Sequence, residues 1–247
     1  NSFKTGSIDM VSTQNSNLKE YIGTIGYNAK EMKGREHDFI AFNTQGQILS
    51  NVNVRKAISY SIDKSNIVSS IFGDNYYTSS FPLDYGSWVY QEGDTSSGYS
   101  LEQAKQTLVD DGWTYRNKYW QKVVNRRTQR ISLNFVVKAS DTTRVSVAEN
   151  IKSQLENQGI RINLIKASDQ QYQNYLQNKN YDMILCSINL SIKPDLSMFF
   201  GSNNLANYNN EEVNSLMSEI KNTQDEEKLK QDYKRLGEIY KSDIPYL

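Results

Sequence analysis

The chain has 247 residues, 37% of them hydrophobic and 23% charged, so it can bury a sizeable core beneath a polar surface. Its 28 basic residues balance its 28 acidic residues, and this zero net charge gives no long-range attraction to nucleic-acid backbones. A nucleic-acid partner is therefore not expected. The single cysteine, Cys186, excludes an internal disulfide and zinc motifs built on Cys pairs, and its apolar neighbours predict a buried thiol.

The first clear pattern along the chain is an apolar run at 38–43, which has strand character. In the segment 51–63, apolar residues recur at four-residue spacing and predict an amphipathic helix with Asn51 or Asn53 as its N-cap. Arg55 lies at the start of this helix. We expect it to make a structural ion pair or a hydrogen bond to a loop carbonyl.

The stretch 73–98 has no period and predicts a long surface loop, of a length that is often functional. It contains Tyr85 and Trp88, which are candidates for ligand contact. For Trp88, packing against the protein remains an equal alternative. After the loop, Ser100 is a candidate N-cap for a helix that stops at Gly112.

Strands and helices alternate in the middle of the chain. Strands are predicted at 131–137, 160–165 and 182–186, with helices at 145–155 and 169–177. Such alternation implies an α/β layer with partly parallel strand pairing.

A hairpin-like segment at 112–124 precedes these elements, and we expect Trp113 and Trp120 to pack under it. Two helices, at 210–221 and 225–240, follow them. Pro245 and the apolar residues after it are typical of the entry to a further strand, which suggests that the chain was cut from a longer protein.

A search for catalytic constellations is negative. The only histidine, His37, lies among charged residues before a strand and is expected to be exposed at a loop edge. No nucleophile elbow, phosphate-binding loop or calcium loop occurs. Only the plentiful carboxylates would support an enzyme domain, and such acids are usually solvated or complement helix dipoles. We expect no enzyme activity, no cofactor and no metal.

Several segments, in order along the chain, resemble signatures of the family 5 extracellular solute-binding proteins, the oligopeptide- and dipeptide-binding proteins of ABC importers. The segment 51–63 resembles the family's "d-v-R-V-R-k-A-l-s-y-A-i-D". The other segments that carry the resemblance are 3–10 ("f-x-x-G-e-I-D"), 42–44 ("f-N-t"), 100–113, 151–160, 172–183 and 194–195.

The resemblance implies an α/β fold, one lobe of a type II periplasmic-binding-protein-like fold, with a central mixed β-sheet and flanking helices. In the family one lobe is a continuous middle stretch of the chain. Residues 1–247 are therefore expected to form a single ligand-binding lobe excised from a longer two-lobed protein.

The family's ligand contacts from this lobe imply a site on the strand and turn after the "y-D-m" segment. The positions here are Ser187, Ile188, Asn189 and Ser191. Ile188 stands where the family often has Trp. Ser191 stands where it has the acid that holds a peptide's ammonium, and a hydroxyl is a weaker partner for that group.

Another acid could replace the missing one. Asp195 and Asp169 lie near in sequence, although Asp169 is more simply explained as a helix N-cap. With Trp88 and Tyr85 from the long loop, Asp195 completes the set of candidate ligand-binding residues.

The function implied by the resemblance is capture of extracellular oligopeptides for delivery to an ABC permease in the membrane. A non-peptide solute, such as a metal chelate or a sugar, and a peptide-signal receptor remain alternatives. The resemblance also implies a monomer that is extracellular and lipid-anchored, or periplasmic.

Overall fold

A computed structural model describes most of the chain. The described residues are 3, 5–11, 26–30, 34–73, 76–84, 86–89 and 98–247. They form two compact units, Asn1–Gly34 and Arg35–Leu247. In the smaller unit, the rings of Phe3 and Tyr27 lie 5.6 Å apart. All the helices and strands found among the described residues belong to the larger unit.

Seven strands and eight α-helices are found among the described residues. The strands are β1 (Glu36–Phe42), β2 (Thr114–Arg116), β3 (Tyr119–Val124), β4 (Arg127–Arg130), β5 (Ser132–Lys138), β6 (Arg161–Ala167) and β7 (Met183–Asn189). The helices are α1 (Val52–Ser61), α2 (Lys64–Ile67), α3 (Leu101–Asp110), α4 (Thr142–Asn157), α5 (Asp169–Asn178), α6 (Ser197–Phe200), α7 (Glu211–Asn222) and α8 (Glu226–Asp243).

The central sheet is mixed, in the order β1-β7-β5-β6. Strand β5 pairs in parallel with both β6 and β7, whereas β1 runs antiparallel to β7. The predicted α/β layer with partly parallel pairing is confirmed. At the outer edge of β1, Tyr246 forms an isolated antiparallel bridge with Ala41, so the segment after Pro245 pairs with β1.

Strand alternation divides the core between the two faces of this sheet. Ile40 and Phe42 pack on one face, with α1 and α4. Phe39 and Ala41 pack on the other, with α6 and α8. Each large apolar side chain fully buried in this way stabilises the fold by about 1.5–3 kcal/mol. Cys186 is buried on the second face, as predicted.

The predicted helix starts are largely confirmed. The side chain of Asn51 accepts from Asn53 N at 2.9 Å and caps α1. Ser100 caps α3. Asp169 as an N-cap is wrong, because Ser168 caps α5 and forms a capping box with Gln171. The carboxylate of Asp169 instead faces the end of β5.

The long aperiodic stretch carries no α-helix or strand in its described residues, but it is more than a surface loop. Phe81, Leu83 and Val89 are buried in the core cluster on the second face of the sheet. They attach the segment to α8, where the Phe81 ring lies edge-on to Tyr240 at 5.2 Å.

The hairpin-like segment is a three-stranded antiparallel meander, in the order β2-β3-β4. Trp113 and Trp120 are 3% and 5% exposed, which confirms that they pack beneath it. The Nε1 of Trp120 donates to the carbonyl of Gln158 at 2.7 Å and ties the meander to the end of α4.

Candidate functional site

The candidate site lies at the carboxyl edge of the parallel strands. Strands β5, β6 and β7 end there, and ligands of open α/β sheets bind outside the carboxyl ends of strands. Because β1 is antiparallel, its first residues come to the same edge. Glu36 is paired with Asn189, and Asp38 with Ser187.

Arg144, in the first turn of α4, gathers three carboxylates at this edge. Its Nη2 lies 2.5 Å from Glu36 Oε1 and 2.8 Å from Asp38 Oδ1, and its Nη1 contacts Asp141. Asp141 also caps α4, because its side chain accepts from Arg144 N at 3.0 Å. Partial burial opposes the charge of Arg144, but hydrogen bonds to Asp38, Glu36 and Asp141 outweigh burial and raise its pKa.

Glu36 links this cluster to the predicted ligand residues. Ser187 Oγ donates to Glu36 Oε1 at 3.3 Å, and Tyr76 OH donates to Oε2 at 3.4 Å. Partial burial and the charges of Glu36 and Asp38 raise the pKa of the Tyr76 phenol, so it stays a donor at neutral pH. With three carboxylates and one guanidinium, the edge cluster of Glu36, Asp38, Asp141 and Arg144 is net negative.

Ile188 points to the other face of the sheet because side chains alternate along a strand. It is partly buried against the cluster that contains Phe39 and Phe199. The structure therefore places Ser187 beside the edge cluster and Ile188 in apolar packing. Asn189 is exposed at the end of β7, and Ser191 is exposed in the loop that follows.

The expectation that His37 is exposed at a loop edge is wrong. His37 lies within β1, opposite Ile188, and its ring stacks on Phe39 at 5.8 Å and meets Phe199 at 6.3 Å. Its Nε2 is buried without a hydrogen-bond partner among the described residues. Burial, aided by the charge of Lys64, lowers the pKa of His37 to about 4, so the imidazole is neutral at physiological pH.

Two candidate acids are engaged in local structure. Asp195 Oδ1 accepts from Ser197 N at 2.9 Å, and hydrogen bonds from Ser197 lower its pKa. Asp169 pairs with Lys138 Nζ at 3.1 Å and accepts from Ser140 Oγ at 2.6 Å. Both carboxylates lie after strand ends, and both already have partners.

The stretch 73–98 contains two of the candidate ligand contacts, Trp88 and Tyr85. Trp88 is 49% exposed, so a large part of this residue is accessible to solvent. Tyr85 lies outside the described residues. Trp88 therefore stays a prediction as a ligand contact.

Sequence reasoning missed Arg144, Glu36 and Asp38. The usable signal was topological: Arg144 follows the end of β5 by six residues, in the first turn of the next helix. That position is near the ligand edge in any open α/β sheet. Glu36 and Asp38 required the antiparallel pairing of β1, which no local pattern reveals.

Within the part of the chain that the structure describes, no group of three or more His, Cys, Asp or Glu side chains is placed to hold a metal ion. Among the same residues, no helix is both long and apolar enough to cross a membrane.

Two curated proteins illustrate the sequence likeness. Heme-binding protein A of Haemophilus influenzae is 26% identical over 202 residues, which cover 76% of this chain and 34% of that protein. Oligopeptide-binding protein AppA of Bacillus subtilis is 23% identical over 218 residues, which cover 84% of this chain and 40% of that protein. The chain thus spans well under half of these relatives.

Solved structures share the fold. AppA of Bacillus subtilis in complex with a nonapeptide aligns with a TM-score of 0.79 at 22% identity, over 87% of this chain and 44% of AppA. NikZ of Campylobacter jejuni in complex with Ni(L-His) aligns with a TM-score of 0.81 at 20% identity, over 99% of this chain and 50% of NikZ.

The family itself is shown by the sequence. Residues 1–210 match the family described as bacterial extracellular solute-binding proteins, family 5 Middle. That match covers most of the chain, and the mixed α/β sheet agrees with the fold of the solved relatives. The chain is therefore a member of the family 5 bacterial extracellular solute-binding proteins.

Proposed function

We propose that this chain belongs to the substrate-binding component of an ABC importer that captures extracellular oligopeptides in a cleft between two lobes. The observation that carries the proposal is the family match over residues 1–210. It is supported by the likeness to an oligopeptide-binding protein in both sequence and fold. In this proposal residues 1–247 form one ligand-binding lobe of a longer, two-lobed protein.

The carboxyl edge of the sheet would form one wall of that cleft. Backbone groups after β7 would hydrogen-bond an extended peptide in the manner of an added strand. Ser187, Asn189 and Ser191 would contact it, with Trp88 and Tyr85 covering it from the loop. Hydrated side-chain pockets would tolerate many peptide sequences.

The edge cluster offers a replacement for the acid missing at Ser191. Glu36 accepts a hydrogen bond from Ser187, and Asp38 is the residue paired with Ser187 in the sheet. Both carboxylates therefore lie at the proposed wall. We expect them to attract the ammonium of a peptide. Asp195 is less suited, because it makes no hydrogen bond with Ser187 among the described residues and accepts from Ser197 N instead.

The proposed role is binding without chemistry, by a monomer. The family description places its members outside the cell, and we propose a lipid anchor or a periplasmic location for the complete protein. Lobe closure around the peptide would present the loaded protein to the ABC permease.

The test is calorimetry on the two-lobed protein with peptides whose N-terminus is free or acetylated. Replacing Glu36 by Gln should weaken binding of the free peptide about tenfold, as expected for one charge-assisted hydrogen bond. The acetylated peptide should bind the parent protein and the Glu36→Gln variant with equal affinity. Glu149→Gln is the matched control, since Glu149 pairs with Lys166 on the surface. No heat of binding with any peptide pool would overturn the proposal.

A second candidate function is binding of a metal chelate or heme. It is favoured by two relatives: Heme-binding protein A of Haemophilus influenzae, similar in sequence, and NikZ of Campylobacter jejuni, similar in fold and solved with Ni(L-His). A thermal-shift screen with peptide, metal-chelate, heme and oligosaccharide pools separates these solutes. Stabilisation by a chelate or heme but by no peptide would favour the second function. A peptide-signal receptor would differ from an importer in lacking a partner permease.

A further inference from the structure

The meander, residues 114–130, carries a charge unlike that of the rest of the chain. It holds six basic residues and no acidic residue, within a protein whose net charge is zero. The basic residues are Arg116, Lys118, Lys122, Arg126, Arg127 and Arg130. The meander is thus a concentrated positive patch, and the compensating acids lie elsewhere.

Most of these cations are free to meet a partner. Among the described residues, Arg116, Lys118, Arg126 and Arg127 are exposed and make no ion pair. Lys122 is the exception, because its Nζ lies 3.2 Å from Asp111 Oδ2. Five of the six cations therefore have no carboxylate partner in this part of the chain, although Arg130 lies over the Tyr119 ring at 5.5 Å.

Strand register brings cations and an aromatic ring to one outer face. Arg116 is paired with Tyr119, and Gln121 with Arg130. Directly paired residues share a face of an antiparallel sheet, so Arg116 and Arg130 flank the Tyr119 ring. Trp120, the next residue along, is buried beneath the sheet.

Both turns of the meander place a cation where the backbone favours glycine. Lys118 has a φ of 68° and Arg126 a φ of 62°. Asn-Gly is the preferred pair in such two-residue hairpin turns, and the left-handed conformation disfavours residues that carry a Cβ. Here Asn117 and Asn125 are followed by Lys and Arg instead. Positive charge is thus present at both turns despite a local conformational penalty.

The tip of the second hairpin is apolar as well as basic. Val123 is 70% exposed and Val124 is 40% exposed, directly before the turn at Asn125 and Arg126. A soluble polyanion would gain little from exposed valines. Apolar and aromatic side chains ringed by Lys and Arg suit a surface that is negatively charged outside and apolar just below.

We propose that the meander is a membrane-contact surface that binds the headgroups of anionic phospholipids. Arg116 and Arg130 on the outer face, with Arg126 at the second turn, would lie against the phosphates. Val123 lies on the same outer face and would enter the boundary of the acyl chains. Each Lys or Arg close to an anionic bilayer strengthens binding by roughly 1 kcal/mol, or about fivefold. The contact would orient the protein at the bilayer.

The test is flotation of the purified chain with vesicles of phosphatidylcholine alone or mixed with phosphatidylglycerol, at low and high salt. We expect salt-sensitive binding only to the anionic vesicles. The variant Arg116→Gln/Arg126→Gln/Arg130→Gln should bind at least tenfold more weakly. Lys105→Gln/Lys221→Gln/Lys234→Gln, which removes three exposed cations on helices, should bind like the parent protein. Equal loss in both variants, or binding to neutral vesicles alone, would overturn the proposal.

Two further variants keep the outcome interpretable. Arg126→Gly removes one charge of the contact surface while placing glycine at a turn that favours it, so folding is preserved if the triple variant fails to fold. Val123→Ser should weaken binding to vesicles without changing the affinity for soluble polyphosphate. Full vesicle binding by the Val123→Ser variant would instead assign the patch to a polyanion and overturn the membrane proposal.

Discussion

The guanidinium of Arg55 in α1 binds the main chain at the end of α8, where its Nε lies 2.8 Å from the carbonyl oxygen of Asp243. The same Nε donates to Ile244 O at 3.0 Å, and Nη1 donates to Leu49 O at 2.7 Å. Arg55 is 4% exposed, so it satisfies carbonyls that water cannot reach. This confirms the expected hydrogen bond to loop carbonyls and joins two distant parts of the chain.

Replacing Arg55 by Met should destabilise the fold strongly, because four partly or fully buried carbonyls lose their donor. We expect a loss of about 3 kcal/mol in the free energy of unfolding, measured with urea. Lys56→Met, one residue along the same helix, should change it by less than about 0.5 kcal/mol. Similar losses of unfolding free energy in both variants would contradict a special role for the hydrogen bonds of Arg55.

Replacing Arg144 by Gln should leave Glu36, Asp38 and Asp141 facing one another without their counter-ion. Their mutual repulsion at the partly buried edge should lower the free energy of unfolding by about 2 kcal/mol at neutral pH. Arg235→Gln is the control, since Arg235 is bound to Glu212 and Glu238 on the exposed face of α8. Exposed pairs contribute about 0–1 kcal/mol, so an Arg144 effect no larger than the Arg235 effect would contradict the predicted coupling.

His37 should make stability depend on pH. Its folded pKa is lowered from 6.5 to about 4, so the unfolded chain binds a proton first as pH falls. The contribution of neutral His37 is therefore complete above 6.5 and is lost as pH falls toward 4. We expect His37 to account for roughly 2–3 kcal/mol of the decline in stability.

The measurement compares the urea midpoints of the parent and His37→Phe at a pH above 6.5 and near 4. Phe fits the aromatic neighbours Phe39 and Phe199 and cannot be protonated. Because His37 is the only histidine, a parallel decline in both proteins would assign the pH effect to carboxylates.

Gly159 fixes the meander to the turn between α4 and β6. Its φ is 79°, and an added Cβ would lie 2.4 Å from Tyr115 Cε2 and 2.9 Å from Lys118 O. Gly159→Ala should therefore cost more than about 2 kcal/mol in thermal or urea unfolding. Gly98→Ala, where a Cβ meets no atom within 4 Å, is the matched control. A neutral Gly159→Ala would mean that the meander shifts freely on this turn.

Local patterns were reliable where a single period or cap decides the structure. The apolar spacing and the Asn51 cap predicted α1, and the alternating apolar runs predicted β5 and β6. The prediction that His37 is exposed was wrong, because its environment includes Phe199, which lies far along the chain. The predicted N-cap of α5, Asp169, is one residue too late, since Ser168 is the N-cap and forms a reciprocal capping box with Gln171.

The candidate site divides in the same way. The family resemblance placed Ser187 and Asn189 at the end of a strand, and the structure puts them at the carboxyl edge of the sheet. The resemblance could not show that Ser187 lies at the edge cluster while Ile188 is packed among apolar residues. That difference depends on which elements cover each face of the sheet. Glu36 and Arg144 are 108 residues apart, and only sheet topology brings them together.

By itself, the sequence determined the α/β class, the family and most of the helices and strands, because these depend on short-range periodicity and ordered motifs. Only the tertiary structure decided the order β1-β7-β5-β6, the edge cluster around Arg144 and the exposure of the basic meander. The physical reason is that pairing between distant strands, burial and the balance of neighbouring charges are properties of contacts, and contacts between residues distant in sequence leave no local pattern in the chain.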